Sequence, residues 1–323
     1  MSSTTKEQEL TPVPALLKSK HIRVVRDGWS RTRLGGSLIE KMNKSDSLEV
    51  EFPINIPNNT IMAGLENQNS SSNERYLTIG ISSVWRNESY IIKTINSIIN
   101  QSTPEQRSTE IYLFLLLADE DHQTRSDRAA NLSVLYSAEV ASGFLRILQP
   151  PDELYPNINF TTLRRTYNDP AARVKWRSKQ VLDFSFLFWY TWTQQPSLYY
   201  LILEDDVVCA NNYLQAIKDH VNKHQVHHWV TLQFADFIGI GRLLHVSDLY
   251  RLVQFLLQFY RENPWDMLLA WWSHLLMVPE PPPKHLYDKR SPGIFQHIGV
   301  NSTLTLKNTA KRKPVIDKHF KAD

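Results

Sequence analysis

The stretch SLYYLILEDDVVCANNYL, residues 197–214, limits what this chain can fold into more than any other. Residues 198–203 are a continuous apolar run, and 199–203, apolar on both alternating faces, have the pattern of a strand buried in the middle of a parallel sheet. Glu204, Asp205 and Asp206 follow at its carboxyl edge, which is where open α/β sheets bind ligands. Adjacent carboxylates repel and suit a packed interior poorly, so they call for a cation. A divalent metal is the economical choice. Hard oxygen ligands suit magnesium or manganese, and these in turn suit a diphosphate. An isolated acidic triplet would read instead as a solvated turn; the buried strand and the matching pieces elsewhere shift the balance toward the metal.

Composition excludes several classes. A net charge of +3 is too weak to argue for nucleic acid. Cys209 is the single cysteine, so no internal disulfide forms and a CxxC zinc site is ruled out. At 42% hydrophobic, the 323 residues can bury a large core. No run approaches the ~20 apolar residues of a membrane span. The start, MSSTTKEQELTPVP, lacks the apolar centre of a signal peptide, so the chain as written reads as soluble. Eight Asn-x-Ser/Thr triplets, at Asn43, Asn58, Asn69, Asn87, Asn100, Asn131, Asn159 and Asn301, lean mildly the other way, toward a secretory lumen.

Residues 1–74 are polar and irregular and read as a stem-like lead-in with short ordered pieces. From Leu77 strands and helices alternate, which predicts a sheet with crossover helices over 75–306; 307–323 is a basic tail. LTIGIS (77–82) is a first strand, followed by a helix through Ile91, Ile92, Ile95 and Ile98. IYLFLLLAD (111–119) is a second strand, and its carboxyl edge also carries acids, Asp119, Glu120 and Asp121.

Asp169-Pro170 opens a further helix, with Asp as cap and Pro at the first position. Arg173, Lys175, Arg177 and Lys179 then crowd its first turns, where the helix dipole disfavours cations. An anion nearby would resolve the conflict, so Arg173, Arg177 and Lys179 either approach a nucleotide or support the acidic cluster; a solvated basic face is the plainer alternative. Downstream, Gly239 and Gly241 flank Ile240 and would let backbone approach a ligand, although a lone GxG says little. Residues 249–260 form an apolar-faced helix. Asp266 follows Pro264-Trp265 and reads either as a helix cap or as a general base beside an apolar neighbour. His297, in SPGIFQHIGVNST, suits a structural role as well as a ligand one.

The segments LTIGISSVWRNESYIIKTINSII, RVKWRSKQVLDFSF, YYLILEDDV, FADFIGIGRLLHVSDL, NPWDMLL and SPGIFQHIGVNSTL together resemble the N-acetylglucosaminyltransferase IV family, the alpha-1,3-mannosyl-glycoprotein beta-1,4-N-acetylglucosaminyltransferases. They run in the family's order over about residues 77–304. The resemblance implies an α/β fold of the GT-A glycosyltransferase type, with a mostly parallel central sheet flanked by helices. It further implies an inverting, manganese-dependent transfer from UDP-GlcNAc to the 4-hydroxyl of an alpha-1,3-linked mannose on the N-glycans of glycoproteins. Asp206 would bind the metal, joined by His297, while Glu204 and Asp205 contact the nucleotide sugar and Asp266 is the base. The family works in the Golgi, and association with other glycosyltransferases goes with it. A noncatalytic member that binds such enzymes or glycoproteins and regulates branching is the other function consistent with the resemblance. Three departures stand out: the chain shows no N-terminal anchor, it ends without a lectin-like domain, and Ala270, Trp271 and Trp272 stand where the family pattern after Asp266 continues to a second Asp.

Overall fold

Each apolar run becomes a strand, and the strands lie side by side. The computed structural model describes residues 62–63, 74–86, 89–151, 154–155, 165–194, 196–224, 229–236, 239–276, 293–300 and 320. The chain divides into two units, Met1–Pro57 and Asn58–Asp323, and every described residue belongs to the second. Almost all of the stem-like segment and of the basic tail therefore lies outside the described residues.

In chain order the strands are β1 (Met62–Ala63), β2 (Arg75–Ser83), β3 (Ile111–Leu117), β4 (Leu145–Leu148), β5 (Ser197–Glu204), β6 (Val207–Cys209), β7 (Leu232–Gln233), β8 (Arg242–His245) and β9 (Phe295–His297). The helices are α1 (Tyr90–Asn100), α2 (Pro104–Thr109), α3 (His122–Leu135), α4 (Ser137–Ala141), α5 (Ala171–Gln194), α6 (Tyr213–His224), α7 (Leu249–Phe259) and α8 (Trp265–Leu275). Seven strands form one sheet in the order β1-β4-β3-β2-β5-β8-β7, and β6 pairs with β9 in a separate ribbon. The four central strands, β4, β3, β2 and β5, run parallel; β1, β8 and β7 are antiparallel to their neighbours. The expected α/β architecture with a mostly parallel central sheet is what the structure has.

Strand alternation sends side chains into two cores. Leu77, Ile79 and Ile81 of β2 join Leu113, Leu115 and Leu117 of β3 and Ile91, Ile95 and Ile98 of α1 on one face. On the other face Phe114 meets Tyr190 and Tyr200 meets Phe188, both partners coming from α5. Every residue of α5 from Val181 to Trp192 is buried, because the helix packs on the sheet and beneath α7 and α8 as well. Gly80 lies under Tyr200, where a methyl group would overlap the phenol.

One expectation needs correcting. The run 198–203 is not buried throughout: Leu198 is 46% exposed, and full burial starts at Tyr200. The neighbour β8 also runs antiparallel to β5, pairing it from Tyr199 to Ile202, so the strand lies where the parallel part of the sheet ends. Among the described residues no helix is long and apolar enough to cross a membrane.

Candidate active site

The register of β2 and β5 places Ser82 beside Glu204, so both strands deliver their ends to one edge. The chain then turns through Asp205 and Asp206, which are both buried. Thr94 of α1 braces this turn, donating to the Asp205 carbonyl at 2.8 Å and accepting from the Val207 amide at 3.0 Å. Ser83 donates to Asp205 Oδ2 at 2.7 Å. The expected counter-charge is present in the chain itself: the Arg86 guanidinium reaches Asp206 Oδ2 at 2.8 Å and also holds Asp205 Oδ1. Next door, Arg128 pairs with Asp119 at the end of β3 and donates to Ser83 Oγ at 2.7 Å.

His297 arrives from far along the sequence through the β6–β9 ribbon, whose register sets Val207 opposite His297. The Ile298 amide donates to the Asp206 carbonyl at 2.8 Å. His297 Nε2 then lies 3.3 Å from Asp206 Oδ1 and 3.8 Å from Glu204 Oε2. A side chain at Gly299 would overlap Asp206 Oδ2, so this close passage of backbone over carboxylate needs glycine. Burial alone would raise the Asp206 carboxyl, but His297 and Arg86 outweigh it and hold the group below the usual carboxylate range. Glu204 goes the opposite way, pushed up to about 7 by burial and then by Asp206. Burial disfavours protonated His297, yet Asp206 and Glu204 more than offset this and raise its pKa.

Glu204, Asp206 and His297 present ligand atoms all within 4.8 Å of one another. Asp206 Oδ1 is buried, with His297 Nε2 beside it at 3.3 Å. With Glu204 ionised and His297 neutral, three acids less one arginine leave two negative charges at this edge. Carboxylate oxygens, an imidazole within reach of them and that residual charge together fit a divalent cation of the manganese or magnesium kind.

The Gly239 backbone joins the acidic turn to α8. Gly239 has φ of +113°, a region reserved in practice for glycine, and a Cβ built there would lie 3.5 Å from Trp265, 3.7 Å from Glu204 Oε1 and 4.0 Å from Asp266 Cβ. Asp266 thus stands in the first turn of α8 across from the acidic motif, its Oδ1 accepting from the Met267 amide at 2.9 Å. Trp265 packs on Phe184 of α5, with ring centroids 4.2 Å apart, which fixes the start of α8. Gly241, at φ +66°, donates its amide to the Ile202 carbonyl at 2.8 Å and so anchors the same backbone to β5.

The cations at the start of α5 find anions within the chain. Arg173 pairs with Asp169 at 3.0 Å, Lys175 with Glu120 at 2.8 Å and Lys179 with Asp183 at 2.9 Å. Arg177, almost fully buried, faces Asp169 at 3.6 Å and donates to the Glu262 carbonyl at 2.5 Å, just before α8. The structure therefore brings together Glu204, Asp205, Asp206, His297, Gly239 and Asp266; the described contacts of Arg173, Arg177 and Lys179 run to other partners.

The MGAT4 conserved region family matches residues 40–320. The chain belongs to that family. Alpha-1,3-mannosyl-glycoprotein 4-beta-N-acetylglucosaminyltransferase C of Macaca fascicularis is 40% identical over 231 residues, covering 71% of this chain and 46% of that protein. The B enzyme of Mus musculus is 34% identical over 255 residues, 75% of this chain and 45% of that protein. The chain spans about half the length of the curated relatives it matches. Among solved structures, S. aureus TarS 1-349 in complex with UDP-GlcNAc aligns with a TM-score of 0.32 and 12% identity, over 55% of this chain and 47% of that one, too slight a likeness to build on.

Within this MGAT4-family site, Trp272 of α8 is buried and Trp271 is 45% exposed. Arg86 is the residue that sequence reading missed. Its place just past the end of β2, at the same sheet edge as the acids, is the signal that could have found it. Arg86→Ala removes the partner of two buried carboxylates, and breaking a buried pair in this way costs about 3–5 kcal/mol. We expect a clear fall in melting temperature, part of it recovered by manganese; an unchanged melting curve would remove Arg86 from the charge balance.

Proposed function

We propose that this chain carries the catalytic core of an inverting, GT-A-type N-acetylglucosaminyltransferase that moves GlcNAc from UDP-GlcNAc to the 4-hydroxyl of an alpha-1,3-linked mannose on N-glycans, forming a beta-1,4 branch. Family membership supports the reading, and one geometric observation carries it: Asp266 and Glu204 converge on the Gly239 backbone from opposite elements. An inverting transfer needs that division, with leaving-group stabilisation on one side and a base on the other.

Asp206 and His297, with Glu204 beside them, are the residues that would hold manganese, and the ion would offset charge on the departing diphosphate. Glu204 and Asp205 stand at the donor side; Asp205 acts through Ser83 and Arg86, which fix its carboxylate. Gly239 and Gly241 keep a side-chain-free backbone between donor and α8. Asp266 takes the proton from the mannose 4-hydroxyl as its oxygen bonds to the sugar C1, and the C1–O bond to UDP breaks with its electron pair leaving on UDP. Arg173, Arg177 and Lys179 serve as support: Arg177 ties α5 to the turn before α8, and so holds the base in place.

The acceptor places the protein with N-glycan processing in the Golgi, alongside other glycosyltransferases. UDP release from UDP-GlcNAc, measured with manganese and a biantennary glycan, tests the reading. Release that depends on both additions is expected. An intact fold that releases no UDP under those conditions points to the noncatalytic regulator instead.

A further inference from the structure

Just before α5 two successive non-glycine residues, Tyr167 and Asn168, adopt left-handed backbone conformations, at φ of 61° and 56°. Such residues cost of order 1–3 kcal/mol each and persist where surrounding contacts hold them. Here the hold is visible. The Tyr167 hydroxyl donates to Oδ1 of Asn263, itself buried, at 2.8 Å, and lies 3.5 Å from Met267 Sδ. Asn263 and Met267 bracket the entry to α8, and Met267 is the residue whose amide binds Asp266. The tip of the phenol is therefore fixed at the entry to α8, the helix whose first turn carries Asp266, while the residue remains 58% exposed. An aromatic ring pinned at its polar end and open along its body is unsuited to core packing. It presents a rigid apolar face at the start of α8.

We propose that Tyr167 is an acceptor-binding residue, its exposed ring stacking on the apolar C–H face of the sugar that offers its hydroxyl to Asp266. The inference rests on the transferase reading above and adds to it the residue that orients the acceptor. A saccharide has hydroxyls on its rim and C–H bonds on its faces, so an aromatic plane selects which rim group points at the base. Tyr167 lies before α5 and touches none of Glu204, Asp205, Asp206 or His297 in the described contacts, so donor binding is independent of it.

The test measures binding rather than turnover alone. Saturation-transfer NMR with a biantennary N-glycan gives acceptor affinity for the wild type, Tyr167→Ala and Tyr167→Phe, with UDP affinity in manganese read alongside. Stacking predicts at least a 10-fold loss of glycan affinity in Tyr167→Ala, near-normal affinity in Tyr167→Phe, and unchanged UDP binding in both. Equal loss in Phe and Ala would make the hydroxyl contact to Asn263 the essential part and overturn the stacking role. Unchanged glycan affinity in Tyr167→Ala, or no glycan binding by the wild type, also overturns it. A wild type that binds glycan through Tyr167 yet transfers nothing keeps this inference and sinks the transferase reading, so the two fail separately.

Discussion

Asp266→Asn lowers sugar transfer by at least ~100-fold, the lower end of what general base catalysis contributes, or about 2.7 kcal/mol of barrier. Asparagine keeps the shape of the side chain and the contact to the Met267 amide but cannot take a proton. The effect belongs to kcat. UDP affinity in manganese stays within twofold, because in the proposed function the donor side is made by the acids that gather at the end of β5, and not by α8. Parallel steady-state kinetics and calorimetry check both halves. Transfer at the normal rate would move the base elsewhere, with Asp236 and Asp248 next to be tried. The precision required of a base explains why the start of α8 is so heavily fixed, by Trp265 on Phe184, by Arg177 on the Glu262 carbonyl and by the Gly239 backbone.

Asp206→Ala should abolish manganese-dependent binding of UDP. The substitution removes the buried carboxylate that lies against His297 Nε2, and leaves two candidate ligands, Glu204 and His297, where three gathered. Folding survives, because Arg86 still holds Asp205, and the ribbon of β6 and β9 depends on backbone pairing. Titrating UDP with and without manganese into both proteins gives the answer directly. Binding of UDP by the variant that still strengthens with manganese as the wild type's does would take the metal away from this carboxylate.

What could be read in advance follows the range of the interactions. Glu204, Asp205 and Asp206 were legible because strand, edge and acids are consecutive. Two of the pairs that settle the cations at the start of α5 were also within reach, since Asp169–Arg173 and Lys179–Asp183 stand four residues apart. Arg177 was not: its acceptor is a main-chain carbonyl 85 residues away, and no side-chain pattern encodes that. Arg86 was hidden for a related reason, because one arginine after a strand acquires meaning only when the register shows which strand lies beside it. The exposure of Leu198 was not legible, because an apolar residue at a strand start reads the same whether or not another element covers it. Tyr167 gave no signal in composition or spacing, since left-handed backbone at a tyrosine is imposed by its surroundings.

The pairing of β6 with β9 also sets the order in which competence can arise during synthesis. The seven-stranded sheet is complete once β8 has formed, and α8 follows soon after, but the imidazole and the glycine that close over Asp206 come only with residues 297 and 299. Domains form from the N-terminal side as the chain emerges, at about 5–20 residues per second. Until those residues are made, the acidic turn, its bracing Thr94 and its Arg86 clamp have no His297 to close over them. The last short strand works as a latch, and it brings Ile294 and Phe295 into the core as it closes.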